Sequence, residues 1–331
     1  MARRFRYRGV DVFTDTQLRG NPLAVFLAAH TPEGGGAGGG DGGPGLSDDE
    51  MQALARETNL SETAFVLPPT PAGTRAGAAF RLRIFTPRME LPFAGHPTLG
   101  AAWVMTDEGT VDDGPLVVEL AAGPVMLHVA QADGRPGDVT MTQHGAEILQ
   151  RLDEDELAEL CEALEVPENE VGWRSGGRRR KARPMVISTG LPHLIVPFVD
   201  RAVLMDVDHE QRQAVAEICR SLGVDSAALV APGNSGTIPD ADVTVRLFDA
   251  GTLGIDADPA TGAAAGPLCV YLGLLVPTRG ATRRVTIEQG TELGRPSRLR
   301  AAADFDADGT VTEIRVTGSV VPVSEGWVTL D

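Results

Sequence analysis

The sequence predicts an α+β protein of two similar, pseudo-symmetric lobes, and three observations carry that prediction. The chain repeats itself at about half its length. Each half alternates short apolar strands with helix patterns. Each half also carries the same proline-glycine-alanine pattern at a helix start.

The elements follow in order. Gly20-Asn21-Pro22-Leu23-Ala24-Val25-Phe26 is echoed by Gly190-Leu191-Pro192-His193-Leu194-Ile195-Val196, each a turn leading into a buried strand. Ser47-Asp48-Asp49-Glu50 supplies capping residues for a first helix, whose apolar face is Met51, Leu54 and Ala55; Gln213 to Ile218 lies in the matching helix of the second half. Short strands come next, Glu62 to Pro68 against Ser226 to Pro232, and then Arg81 to Phe85 against Thr244 to Phe248. Last, His96-Pro97-Thr98-Leu99-Gly100-Ala101-Ala102 aligns with Asp258-Pro259-Ala260-Thr261-Gly262-Ala263-Ala264. Proline suits the first helical position, so helices are expected over Ala101 to Met105 and from Ala263 towards Leu275, with Pro267 in the opening turns. The repeat divides the chain into lobes of 1–124 and 125–317, with 318–331 returning to the first as a strand. Equivalent helix N-termini facing one cleft would suit a carboxylate, because they offer free N–H groups and a positive dipole end.

Composition narrows the function. Of 331 residues, 42% are hydrophobic and 23% charged, which fits a globular protein. Forty-six acidic against 29 basic residues give a net charge of −17, so neither nucleic acid nor an anionic membrane is an expected partner. The single lysine, Lys181, lies in a basic run, which argues against a Schiff-base lysine and excludes a P-loop. Cys161, Cys219 and Cys269 are too few and too scattered for a disulfide framework or a zinc site, and read as buried thiols. No secretory signal pattern opens the chain and no apolar run is long enough to span a bilayer, so a cytoplasmic location is expected. Two stretches look like inserts. Residues 33–45, rich in glycine, read as a surface linker; Arg174 to Arg183 reads as a solvated basic loop.

The residues that break the repeat are the informative ones. Glu62 stands where the second half has Ser226, and His96 and Asp258 hold one place in the two halves. Taken singly, Glu62 is an exposed strand-edge acid and His96 an N-cap partner. Together, they place two carboxylates and an imidazole at matching points of a cleft, the equipment of general acid/base chemistry.

At these residues the sequence resembles the PhzF-like family of phenazine-biosynthesis isomerases. The resemblance rests on Val10-Asp11-Val12-Phe13-Thr14, Gly20 to Val25, Asn59 to Val66, Arg83 to Pro87, Glu90 to Gly100, Asp258 to Gly262, Gln289-Gly290 and Gly294 to Ser297. It implies a diaminopimelate-epimerase-like fold, each lobe wrapping a mixed sheet around a central helix, with the active site between lobes. It places the family's catalytic residues on Glu62, His96 and Asp258. It sets Asn21, Gly95, Thr98, Gly262 and Ala263 around the substrate, with backbone N–H groups at Gly95 and Gly262 holding a carboxylate. It further implies a homodimer acting on a small carboxylated metabolite with no metal and no cofactor. Racemases of this fold use two cysteines, whose places here read as Ala94 and Asp258, so two-thiol racemisation is not expected. The chain departs from the family pattern at Ala257, usually acidic, and at Ala263, usually serine. The reading is a cofactor-independent isomerase moving a proton at carbon; the rivals are a non-catalytic binder on the same fold and an epimerase or lyase relative.

Overall fold

A computed structural model describes residues 2–27, 45–143, 145–175, 178–249 and 258–331. The chain forms two compact units, Met1–Met141 with Thr317–Asp331, and Thr142–Val316. The division falls after Met141, where the repeat had placed it after 124. The reason is local: strands 123–132 and 135–143 hairpin onto the sheet of the first unit instead of opening the second.

In the first unit the strands are β1 (Arg3–Val12), β2 (Asn21–Phe26), β3 (Thr63–Leu67), β4 (Phe80–Phe85), β5 (Glu90–Leu91), β6 (Gly114–Leu120), β7 (Gly123–Ala132) and β8 (Arg135–Gln143). β1 lies between β2 and the last strand, Val320–Leu330, antiparallel to both. β2 and β3 are parallel, β3 and β4 antiparallel, β4 and β6 parallel, and β6, β7 and β8 form a meander. The β1–β2 turn depends on Gly20: its φ is +67°, and a Cβ there would sit 2.3 Å from the Val12 carbonyl oxygen.

One face of this mixed sheet packs on α1 (Asp48–Thr58), opened by a Ser47/Glu50 capping box. Met51, Leu54 and Ala55 meet Phe26, Phe65 and Phe85 there, and the Phe26 and Phe65 rings stack at 5.0 Å. After the short α2 (Pro71–Arg75) comes α3 (Gly95–Asp107), which packs against β1, β2, β3, β4, β6, β7 and the last strand. Every residue from Gly95 to Met105 is buried, so α3 is the central helix of the unit. It starts six residues before the helix expected at Ala101. Pro97 is its third residue, where a missing N–H costs no intrahelical bond.

The second unit repeats the plan with β9 (Glu147–Arg151), a hairpin of β10 (Trp173–Ser175) and β11 (Arg178–Arg180), β12 (Met185–Ser188), β13 (Pro192–Pro197), β14 (Ser226–Pro232), β15 (Val243–Asp249), β16 (Ala281–Gln289) and β17 (Ser297–Phe305). The stretch read as a basic loop thus contains paired strands. The main sheet is again mixed: β9, β12 and β13 pair antiparallel, β13 and β14 parallel, β14 and β15 antiparallel, β15 and β16 parallel, β16 and β17 antiparallel. Helices α4 (Glu154–Leu164), α5 (Arg201–Asp206) and α6 (Arg212–Ser221) cover one face over Leu194, Val196, Ala227, Leu229 and Phe248. The central helix is α7 (Gly262–Leu275), buried from Gly262 to Gly273 and packed on β12, β13, β16 and β17. All three cysteines are buried thiols.

The strand registers match between units. Ala24 pairs with Thr63 and Thr63 with Phe85; Leu194 pairs with Ala227 and Ala227 with Phe248. The central helices do not follow the aligned motif. α3 begins at Gly95, one residue before His96, whereas α7 begins at Gly262, four residues after Asp258. Counted from the helix starts, His96 corresponds to Ala263. The places expected of two cysteines are then Ala94 and Thr261, the two N-cap residues, and not Asp258. Among the described residues no helix is long and apolar enough to cross a membrane.

Candidate active site

In the first unit, three chain turns bring the expected residues together. Gly20 turns β1 into β2 and places Asn21 at the first strand position. Asn59, in the left-handed region at φ 50°, ends α1 and sends Ser61 and Glu62 towards β3. The start of α3 supplies Gly95 and His96. Glu62 is 5% exposed, so it is not the exposed strand-edge acid that single-residue reasoning favours, and His96 is 3% exposed.

A chain of hydrogen bonds fixes the imidazole. The Ser61 hydroxyl donates to Asn21 Oδ1 at 3.2 Å, which orients the amide so that Nδ2 donates to His96 Nδ1, also at 3.2 Å. With Nδ1 accepting, the proton of the neutral ring sits on Nε2. Burial pushes His96 down to about 3, so the ring is neutral at physiological pH. Nε2 stands 3.7 Å from Glu62 Oε2, beyond hydrogen-bond range, and has no hydrogen-bond partner among the described residues. A carboxyl group and an N–H donor are thus held side by side, both buried.

The start of α3 adds an electrostatic element. Its N-cap, Ala94, makes no side-chain cap, and its first turn carries no acid. The outer helices differ: α1 and α4 carry full capping boxes from Ser47 and Asp153. No side chain caps the first N–H groups of α3, and the dipole there favours an anion. Thr98 is fully buried, but its hydroxyl donates back to Ala94 O at 2.7 Å, so it braces the helix start.

In the second unit Asp258 is 8% exposed and held in a tight turn. Its Oδ1 accepts the Ala260 N–H at 3.1 Å, and its Oδ2 accepts the Thr261 hydroxyl at 2.7 Å. Gln289 locks this turn from β16. Its Nε2 donates to Asp258 O at 2.8 Å and to Thr261 Oγ1 at 3.0 Å, while its Oε1 accepts the Thr261 N–H at 3.2 Å. Gly262 is the first residue of α7, whose N-cap Thr261 makes no side-chain cap and whose first turn holds no acid. Gln143 donates to Gly262 O at 3.2 Å and is itself held by the Thr189 hydroxyl at 2.9 Å. Ala263 follows as the second helical residue and is buried. Residues Asp256 and Ala257 lie outside the described residues, as do 33–44 of the glycine-rich stretch. Among the described residues no group of three or more His, Cys, Asp or Glu side chains is placed to hold a metal ion.

The sequence missed Gln143, and read Ser61 and Gln289 only as parts of family motifs. Their work is to orient other groups, and an uncharged side chain leaves no charge or spacing signal for such a role.

Comparison with known proteins shows the family and the fold. The model of the phenazine biosynthesis-like protein family matches residues 10–326. The chain belongs to that family. It is 31% identical to a trans-2,3-dihydro-3-hydroxyanthranilate isomerase of Pseudomonas aeruginosa over 323 residues, covering 97% of this chain and 98% of the relative. A crystal structure of a PhzF-family phenazine biosynthesis protein from Bacillus anthracis superposes with TM-score 0.79 at 22% identity, covering 98% of this chain and 99% of that one. A probable proline racemase from Agrobacterium radiobacter, solved with bound carbonate, superposes with TM-score 0.61 at 14% identity, covering 99% and 93%. The fold of this phenazine biosynthesis-like protein is therefore the α+β, diaminopimelate-epimerase-like one, with a central helix in each unit.

Proposed function

We propose that this phenazine biosynthesis-like protein is a cofactor-independent isomerase that removes a proton from one carbon of a small carboxylated metabolite and returns one at another, with Glu62 as the proton carrier. The observation that carries the reading is the buried pair of Glu62 Oε2 and neutral His96 Nε2–H at 3.7 Å, with the tautomer set through Asn21 by Ser61. A carbon acid loses its proton slowly, and a base freed of water and held at a fixed point is what speeds that step. His96 then serves as a neutral donor, either to the carboxyl as it takes the proton or to an oxygen of the substrate on which charge develops. Asp258, fixed by Ala260, Thr261 and Gln289, is the second acidic group of the proposal. The uncapped start of α3 at Gly95, and in the second unit that of α7 at Gly262, each suit an anion such as a carboxylate. The isomerase name of the Pseudomonas relative supports the reaction class, and its dihydro-hydroxyanthranilate is the first substrate to try.

The test is turnover in deuterated water. Wild type should place deuterium at the new C–H position. Glu62→Gln keeps the shape and removes the base, so its rate should fall by about 10² to 10⁴ while ligand affinity stays near wild type. Turnover of Glu62→Gln at the wild-type rate overturns the assignment.

A further inference from the structure

The matching strand registers reveal a second buried polar pair. Stepping one residue from the equivalent pairs sets His193 at the place of Leu23, Ser226 at the place of Glu62 and Asp249 at the place of Thr86. Asp249 is thus a second carboxylate at a point where the repeats differ, one that the sequence alignment passed over. His193, Ser226 and Asp249 alternate with Leu194, Ala227 and Phe248, which face α4 and α6, so they belong to the opposite face of the sheet. α7 packs on β13 from elsewhere than that outer core, which leaves the inner face to it. Where the first unit puts a leucine and the proposed base, the second puts a histidine and a serine.

His193 is 5% exposed and Ser226 2%, and His193 Nδ1 lies 2.8 Å from Ser226 Oγ. Counting donors assigns the tautomer. If Nδ1–H donated to Oγ, both the serine hydroxyl proton and the Nε2 lone pair would lack partners among the described residues. If the hydroxyl donates to Nδ1, one group is left over, the Nε2–H. Burial pushes His193 down to about 4, so the ring is neutral. The result is a buried N–H donor with no acceptor among the described residues, at a position where the first unit shows that an apolar side chain fits. The fold gains nothing from it, because an unmet buried donor costs stability. The same pattern, Nδ1 accepting and Nε2–H unmatched, occurs at His96 in the first unit.

We propose that His193 Nε2–H is a ligand-facing donor which takes an uncharged oxygen, a hydroxyl or carbonyl, of the bound metabolite, and that Ser226 is the residue fixing its tautomer. An uncharged oxygen is favoured over a second carboxylate because Asp249, the register partner of Ser226, is an acid buried on the same face. The identity of the metabolite rests on the proposed function; the unmatched donor does not.

Three measurements on the full chain test this. Nitrogen-15 spectra of histidine-labelled wild type should show His193 protonated at Nε2 and bare at Nδ1 at pH 7; the opposite tautomer overturns the assignment. The double substitution His193→Leu with Ser226→Ala removes the donor and its orienter together. It should melt at or above the wild-type temperature, since replacing both partners with apolar groups is neutral or stabilising. A lower melting temperature, or failure to fold, makes the pair a structural hydrogen bond and overturns the proposal. Calorimetric binding of 3-hydroxyanthranilate and anthranilate, which differ by one hydroxyl, completes the set. Wild type should favour the hydroxylated acid by about three- to tenfold, the worth of one hydrogen bond, and the double variant should lose that preference. A preference that survives in the double variant overturns the proposal. Wild type binding neither acid counts against the carboxylate reading of the function, and the tautomer and melting temperature still decide the case of His193.

Discussion

Acid should destabilise this protein well before its carboxylates titrate, and the two buried histidines set the amount. In the unfolded chain each imidazole titrates near its ordinary value of 6.5; in the native chain burial holds His96 at about 3 and His193 at about 4. Between those limits the unfolded state binds protons that the native state refuses. Stability from these groups is therefore fully present above pH 6.5 and is lost as pH falls towards 4 and then 3. At pH 5 the unfolded chain gains about 2 kcal/mol per histidine, or about 4 kcal/mol for both, from 1.36 kcal/mol per pH unit over one and a half units. The figure depends on the unfolded value, because both native values lie well below 5. It is a large part of the 5–15 kcal/mol that typically separates folded from unfolded. Urea unfolding at pH 7, 6 and 5 reads it directly. The His193→Leu, Ser226→Ala variant should lose about 2 kcal/mol less than wild type over that range, since only one of the two buried histidines remains. A wild-type loss under about 1 kcal/mol, or a variant whose loss equals that of wild type, refutes the burial argument.

Two further outcomes concern the framework of the site. Gly100→Ala and Gly266→Ala make similar changes in the two central helices with different results. At Gly100 the new Cβ meets the far end of the Leu23 side chain at 2.5 Å and Val12 Cγ2 at 3.0 Å, apolar atoms only, and alanine is the better helix former. At Gly266 it meets Gln143 Oε1 at 1.7 Å, an atom tied to Thr189. Urea unfolding should show a change within about 1 kcal/mol for the first and a loss of about 2–3 kcal/mol for the second, and equal losses would contradict the geometry. Gln289→Leu strips the partners from Asp258 O and from the Thr261 N–H, so a loss of about 1–3 kcal/mol by the same measurement is expected, together with slower deuterium incorporation. Unchanged stability would show that the turn holds itself.

Strands β2 to β4 and their counterparts β13 to β15 were legible because each obeys a local rule. A glycine-x-proline turn followed by an apolar run placed Gly20 to Phe26 and Gly190 to Val196, and the backbone registers of the two units agree residue for residue with the repeat read from them. The capping box of α1 was legible for the same reason: Ser47 and Glu50 carry the signal within four residues. The central helices were not. His96-Pro97 and Asp258-Pro259 look alike in sequence, yet the first pair lies inside a helix and the second ahead of one. Proline tolerates both settings, since it needs no N–H donor in a first turn or in the approach to it. What decides the start is tertiary: Gln289 bonds Thr261 and the Asp258 carbonyl, pins that segment as a turn and defers α7 to Gly262. In the first unit the Asn21 amide reaches His96 within the opening turn of α3. The same proline motif therefore yields two different pieces of equipment, an imidazole carried on a helix in one unit and a carboxylate held in a turn in the other. The duplication supplies the scaffold, and the chemistry comes from the places where the two copies stopped matching: Glu62 against Ser226, Leu23 against His193, and His96 against Ala263.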